Sequence, residues 1–286
     1  MNKIAIFDVG GTSIKYSLDE LKTVEIYKTK KMNKNNVIDF ISSICNEKNI
    51  NIICLSVPGI VNSETGYITG LSAIDNWNEF NIFEEITEKL NNKEIKIYVE
   101  NDGNCSLLGN LNRINNKKIN SAISIVYGTG IGGSCYFNGK IYKGFNNSAG
   151  EFGMFIETYN DINNASLLNS TVSLCRQVYE KTNIKLDGDK ILDLYDKNNC
   201  DFKEIVTLWF KRNATLIYNI IWFLNPEIIF IGGGISANDI FKKNLFDAIK
   251  KLFNKNKLIN RTKIIFSYNG NMANLEGAYI LYKKNE

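Results

Sequence analysis

Twice along the chain a short apolar run breaks at a glycine loop, resumes as strand, and gives way to alternating helical and strand patterns. Residues 3–7, 14–18 and 23–29 read as three short strands with turns at Gly10-Gly11 and Asp19-Glu20. A helical pattern follows at about 36–48, then a buried strand at 52–57, a strand at 95–99 and a helix from about 103 to 111. The second instance opens with Ala122 to Tyr127, a glycine loop, Gly132 to Phe137, and the hairpin turn Asn138-Gly139 into Lys140-Ile141-Tyr142. Helices are expected near 166–181 and 203–224, the latter apolar nearly all round (Leu208, Trp209, Ile217, Ile221, Phe223) and so a core helix. Asn225-Pro226 stops it. Glu227 to Ile231 is a buried strand, followed by Gly232-Gly233-Gly234 and a helix capped near Ser236 or Asn238. A strand at 263–267 and a helix at about 272–283 close the chain. A 286-residue chain patterned this way folds as two α/β lobes with ligands between them.

Charge narrows the function. Lys+Arg number 34 and Asp+Glu 30, a balance too even for a nucleic-acid or membrane surface. The longest apolar candidate, Leu216 to Leu224, is far short of a bilayer span, and Asp8 ends the first apolar run, so no signal peptide is expected. The expectation is a soluble cytoplasmic protein. There is no His, which removes every imidazole base and every His-containing metal site. The six Cys (45, 54, 105, 135, 175, 200) are scattered without ligand spacing and read as small buried thiols.

The chemistry sits in the loops. Asp8-Val9-Gly10-Gly11-Thr12-Ser13-Ile14-Lys15 joins two strands, and its glycines let backbone N–H groups and the Thr12 hydroxyl approach an anion. It is not a Walker A loop, because no G-K-[ST] opens a helix. Gly128-Thr129-Gly130-Ile131-Gly132-Gly133 joins two more strands, and Gly232-Gly233-Gly234 lies between a buried strand and a helix, where nucleotides commonly rest. Three such loops point to nucleotide binding. Glu100-Asn101-Asp102-Gly103-Asn104 ends a strand and begins a helix. Asn and Asp there can simply cap the helix, but Asp102 also stands at the carboxyl end of a strand, where open α/β sheets place ligands. Without His, a carboxylate is the natural base for a hydroxyl. Glu151, between glycines, reads either as a sugar-hydroxyl acceptor or as a solvated turn residue.

Together the loops D-x-G-G-T-x-x-K (Asp8–Lys15), E-N-D-x-N (Glu100–Asn104), G-T-G-x-G-G (Gly128–Gly133) and G-E-F-G (Gly150–Gly153), with Gly232–Gly234, resemble in kind and order the repressor–ORF–kinase (ROK) family of sugar kinases. Val57-Pro58-Gly59-Ile60-Val61 and Asn76-Trp77 are similar to its sugar-side segments. The resemblance implies a two-lobed, actin-like ATPase (ribonuclease H-like) fold whose lobes close over ATP–Mg²⁺ and a hexose. It makes residues 1–113, with a returning helix at 271–286, the first lobe, and 114–270 the second. It implies Asp102 as catalytic base, a phosphate and nucleotide site from Asp8, Gly10, Gly11, Thr12, Lys15, Gly128, Thr129, Gly130, Gly233 and Gly234, and sugar contacts from Gly59, Asn76, Asn101, Asp102 and Glu151. Asp8 would hold Mg²⁺ through water, and the homodimer common in the family is a further expectation.

One departure is clear. Family members usually carry a His after G-E-F-G and a zinc loop, C-x-C-G-x-x-G-C; here Met154 takes the His position and only Cys175 lies between 154 and 199. No zinc is expected. Within the family the resemblance is greatest to zinc-free N-acetylmannosamine kinases, which act in sialic acid catabolism, with a glucokinase or another hexose or N-acetylhexosamine kinase of the family as the alternative. Met154 either lines a widened sugar pocket, with Ser72, Asn147 and Ser148 as partners for an N-acetyl group, or fills core beside Phe152 and Phe155. A ROK repressor needs a helix-turn-helix module before the first glycine loop, which here already starts at Asp8.

Overall fold

The computed structural model describes residues 3–28, 32–70, 72–114, 119–158, 163–198, 201–255, 257, 260–267 and 272–284. The chain divides into two units, one comprising Met1–Asn116, Lys143–Ser148 and Asn271–Glu286, the other Lys117–Tyr142 and Ala149–Gly270.

The first unit is built on strands β1 (Ile4–Val9), β2 (Ser13–Ser17), β3 (Glu25–Lys28), β4 (Ile52–Val57) and β8 (Lys96–Asn101), in the order β3-β2-β1-β4-β8. The first three are antiparallel, and β4 and β8 run parallel to β1. Every residue of β1 and β4 is buried, as expected of strands covered on both faces. Alternation divides them. Ala5, Phe7, Val9, Ile53 and Leu55 pack with Val37, Ile38 and Ile41 of helix α1 (Lys34–Lys48) and Ile82 and Ile86 of α2 (Ile82–Lys89). Ile4, Ile6, Ile52 and Cys54 pack with Cys105 of α3 (Asp102–Arg113) and Leu275, Ala278, Tyr279 and Tyr282 of α9 (Ala273–Lys283). A small sheet of β5 (Ile60–Val61), β6 (Tyr67–Thr69) and β7 (Phe80–Asn81) lies between β4 and α2 in sequence. Neither it nor α2 shows in the periodicity; Asn81 starts α2 by accepting from the N–H groups of Phe83 and Glu84.

The second unit repeats the plan. Strands β9 (Ser121–Tyr127), β10 (Ile131–Phe137), β11 (Lys140–Tyr142), β14 (Ile228–Gly232) and β15 (Lys263–Phe266) take the order β11-β10-β9-β14-β15, with the same parallel and antiparallel pairings. A short ladder of β12 (Ile156–Thr158) and β13 (Asn163–Asn164) precedes α4 (Ala165–Asn169), α5 (Thr171–Thr182), α6 (Gly188–Asp196) and α7 (Lys203–Leu224); α8 (Asp239–Lys255) joins β14 to β15. The single helix expected at 166–181 is two, because Ser170 is extended: its hydroxyl caps α5 at Ser173 N–H, and its carbonyl accepts from Trp209 Nε1. The α7 helix departs from the core helix expected. Trp209, Ile217 and Ile221 are buried, but Leu208 is 45% exposed and Phe223 84%. Asn238 caps α8, accepting from Ile240 and Phe241 N–H. No described helix is long and apolar enough to cross a membrane. Cys45, Cys54, Cys105 and Cys135 are buried free thiols; Cys200 lies outside the described residues.

Candidate active site

In the first unit the strand register sets three polar groups side by side. Asp8 on β1 pairs with Ser56 on β4, and Ser56 with Glu100 on β8, all at the carboxyl ends of parallel strands. Asp8 is 7% exposed. Its Oδ1 accepts from the Ser56 hydroxyl and the Asn274 amide, each at 3.0 Å, and its Oδ2 lies 3.7 Å from Lys15 Nζ. The turn between β1 and β2 closes with Gly10 N–H donating to Ser13 O at 2.9 Å; Gly11 faces Ala73, and Thr12 is exposed.

Past Glu100 the chain turns into α3. Asn101 caps the helix, its Oδ1 accepting from Asn104 N–H, while its Nδ2 donates to Gly59 O at 2.9 Å and to Asp102 Oδ1 at 3.0 Å. Asp102 Oδ1 also accepts from Gly103 N–H at 2.8 Å. Trp77 Nε1 donates to Pro58 O, next to Gly59. So Gly59, Asn101 and Asp102 form one hydrogen-bonded group with Trp77 bound to its edge. Asn76 is exposed with a left-handed backbone, φ 59°, and joins no hydrogen bond among the described residues. Beneath lies Cys105: burial pushes its thiol well above the usual range, with Glu100, Asp8 and Asp102 adding to the rise. It is no nucleophile.

The remaining expected residues lie in the second unit. Gly128 N–H donates to Gly130 O, Ile131 N–H to Ser166 Oγ at 2.8 Å, and Thr129 at the tip is exposed. A Cβ at Gly128 or Gly234 would meet nothing within 4 Å. Gly233 differs: its φ is 92°, and a Cβ there would overlap the Tyr127 carbonyl, so the fold itself requires glycine. Glu151 is exposed; its carbonyl accepts from Met154 N–H, its carboxylate has no hydrogen bond or ion pair among the described residues, and enough protein surrounds it for desolvation to raise that carboxyl above the ordinary value. Met154 is 63% exposed, its sulfur near Asn164 Nδ2, which removes the core-filling role; Phe152 is the buried member of that turn.

Sequence reasoning missed Ser56, Asn274, Ser63 and Lys143. Ser56 leaves a trace, the one hydroxyl in the run Ile52-Ile53-Cys54-Leu55-Ser56-Val57. Asn274 and Lys143 leave none, being brought in by tertiary contacts alone. Among the described residues no three His, Cys, Asp or Glu gather as a metal cage.

Two five-stranded sheets of one plan, each with a glycine loop following its first strand, define the actin-like ATPase class. The chain belongs to the ROK family, whose sequence model matches residues 4–285. A β-glucoside kinase of Listeria monocytogenes is 31% identical over 253 residues, covering 84% of this chain and 85% of that protein. An N-acetyl-D-glucosamine kinase of Histophilus somni is 29% identical over 278 residues, covering 86% and 87%. Among solved structures, a Listeria monocytogenes protein described as a candidate N-acetylmannosamine kinase superposes with a TM-score of 0.87 at 27% identity, over 99% of this chain and all of that one.

Proposed function

We propose that this ROK protein is an ATP-dependent sugar kinase that phosphorylates the 6-hydroxyl of N-acetylmannosamine, a cytoplasmic step of sialic acid and amino sugar catabolism. The observation that carries the kinase reading is the Gly59–Asn101–Asp102 group at the carboxyl end of β8, in the same sheet as β1 and its Asp8 loop and one strand, β4, removed from it. Asp102 accepts the hydroxyl proton as the sugar oxygen attacks the γ-phosphorus of ATP; the bond to the β-phosphate oxygen breaks, and ADP leaves with the electron pair. Asn101 holds one Asp102 oxygen, so the carboxylate meets the substrate already oriented. Gly11, Thr12, Thr129 and Gly130 supply phosphate donors; Gly10 and Gly128, whose N–H groups close the two turns, leave room for the phosphates to approach; Lys15 supplies a cation, and Gly233 and Gly234 the nucleotide's rest. That Gly128 is not forced to be glycine by its neighbours supports this use.

Mg²⁺ bound with ATP neutralises phosphate charge. The residues fit a water-mediated role, since one Asp8 oxygen is held by Ser56 and Asn274 while the other, Oδ2, lies 3.7 Å from Lys15 Nζ. Zinc has no part in this reading. Gly59, Asn76, Asn101 and Glu151 hold the sugar. For the N-acetyl group, support comes from the exposed, flexible Met154 and from the structural relative named above. A homodimer is part of the proposal, in keeping with Leu208, Trp222 and Phe223 exposed on α7. The β-glucoside kinase relative favours a second reading, a glucoside or glucose as substrate. ADP release measured against N-acetylmannosamine, N-acetylglucosamine, mannose, glucose and a β-glucoside separates them; no sugar-dependent ADP release would defeat the kinase reading.

A further inference from the structure

Glu100 is the most buried carboxylate of the first unit's site, 3% exposed, and it carries four partners. Its Oε2 pairs with Lys143 Nζ at 2.7 Å and accepts from the Ser63 hydroxyl at 3.1 Å; Lys143 also donates to Ser63 Oγ at 2.6 Å. Its Oε1 accepts from Asn101 N–H at 2.8 Å and Asn104 Nδ2 at 3.0 Å. Lys143 belongs to the segment Lys143–Ser148, which groups with the first unit although the chain on either side of it belongs to the second.

We propose that Lys143 is a positioning residue for phosphoryl transfer, acting through Glu100 to fix the β8–α3 junction that presents Asp102. The inference rests on Asp102 being the base. The ammonium compensates the charge of a carboxylate that is buried and whose two oxygens are shared among four donors. One of those donors is the Asn101 N–H, in the peptide immediately before the Asn101–Asp102 pair, and the Asn101 side chain in turn holds Asp102 Oδ1 and Gly59 O. Without the ammonium, Glu100 is a buried carboxylate with no charge partner and turns toward water. That releases the Asn101 peptide, and Asp102 loses its place. The pair is therefore a tether between a segment remote in sequence and the catalytic strand end, rather than a surface ion pair of little consequence.

The test uses the whole protein, with whichever sugar turns over fastest. Lys143→Met is expected to lower kcat by ~30-fold, within the range a small misplacement of a catalytic group produces, while leaving KM for ATP within about threefold. Lys143→Arg, which can still meet Glu100, should recover most of the loss. The double variant Lys143→Met/Glu100→Gln should be no slower than Lys143→Met alone, because both changes break one route; losses that multiply would overturn the proposal. So would wild-type kcat in Lys143→Met. If Lys143→Met does not fold, the double variant, which removes the uncompensated buried charge, decides: folded and near wild-type in kcat, it overturns the idea. Asp102→Asn measured alongside keeps the two claims apart. Full activity there defeats the base assignment and the tether with it, whereas an inactive Asp102→Asn beside a fully active Lys143→Met defeats the tether alone.

Discussion

At the scale of single residues, the proposed reaction rests on two carboxylates in unlike settings. Asp102 sits at the start of a helix with one oxygen held by Asn101 Nδ2 and Gly103 N–H, so Asp102→Asn keeps the size and the local bonds while losing the proton acceptor. It should fold and bind ATP but turn over at least ~100-fold more slowly, the low end of a general-base contribution. Steady-state kinetics with ATP binding measured separately reads this directly. Glu151 has no such partners, and desolvation raises its carboxyl above the ordinary value. A raised value means that protonation, and with it the loss of an acceptor for sugar hydroxyls, begins at higher pH than for an exposed glutamate. KM for the sugar should accordingly climb as pH falls toward the raised value, and Glu151→Gln, already unable to ionise, should show a KM that is higher but flat across that range. A wild-type KM independent of pH there would remove Glu151 from the sugar site.

At the scale of elements, the α3–α9 contact governs how firmly Asp102 is carried. Gly109 on α3 faces the Ala273 carbonyl and Gly277 on α9 faces the Cys105 carbonyl, both so close that a Cβ would overlap backbone. Gly277→Ala must push the helices apart, a cost of ~1–3 kcal/mol for overpacking, read as a lower Tm, and kcat should fall with it because α3 begins at Asp102. Gly128→Ala is the counterpart. With open space around it, Tm should stay within a degree or two, while KM for ATP rises. The long elements were legible because they are strongly periodic: β1, β4 and α7 carry apolar runs whose type length alone decides. Between residues 58 and 94 the pattern fails for a physical reason. Strands of two or three residues and an eight-residue helix are too short to show a period, and the Asn81 cap is one asparagine among many in this chain. The Ser170 break was equally hidden, since a serine inside an apolar period is ordinary until the Trp209 indole takes its carbonyl. Exposure of Leu208 and Phe223 on α7 follows from packing partners that no helical wheel supplies. In the site, the glycine loops and the E-N-D-x-N run were readable from the chain; the Lys143 and Asn274 contacts were not, because they join residues 43 and 266 positions from their partners.

At the scale of the whole molecule, one sheet order used twice sets the site residues on loops after strands in each unit, and loops can change substrate without changing the scaffold. The open question is therefore which sugar these loops accept. An N-acetyl group at C2 brings an amide that must be paired if buried, since leaving it unpaired costs ~1–3 kcal/mol. Asn147 and Ser148 lie in the Lys143–Ser148 segment, and Ser72 in the first unit, each partly covered by protein; Ser72 Oγ already accepts from Ile74 N–H, so its hydroxyl proton is the group it can offer to the amide carbonyl. Met154, where the family usually has a His, presents a flexible apolar side chain rather than a polar ring, which suits a methyl better than a hydroxyl. If both features serve the N-acetyl group, kcat/KM for N-acetylmannosamine should exceed that for glucose by at least ~10-fold, about 1.4 kcal/mol of transition-state preference. Met154→His should narrow the gap by favouring the hydroxyl sugar. Glucose or a β-glucoside used as well as N-acetylmannosamine would reassign the substrate while leaving the proposed roles of Asp102 and the phosphate loops as they stand, because the proposal has those groups meet the 6-hydroxyl and ATP, not the substituent at C2.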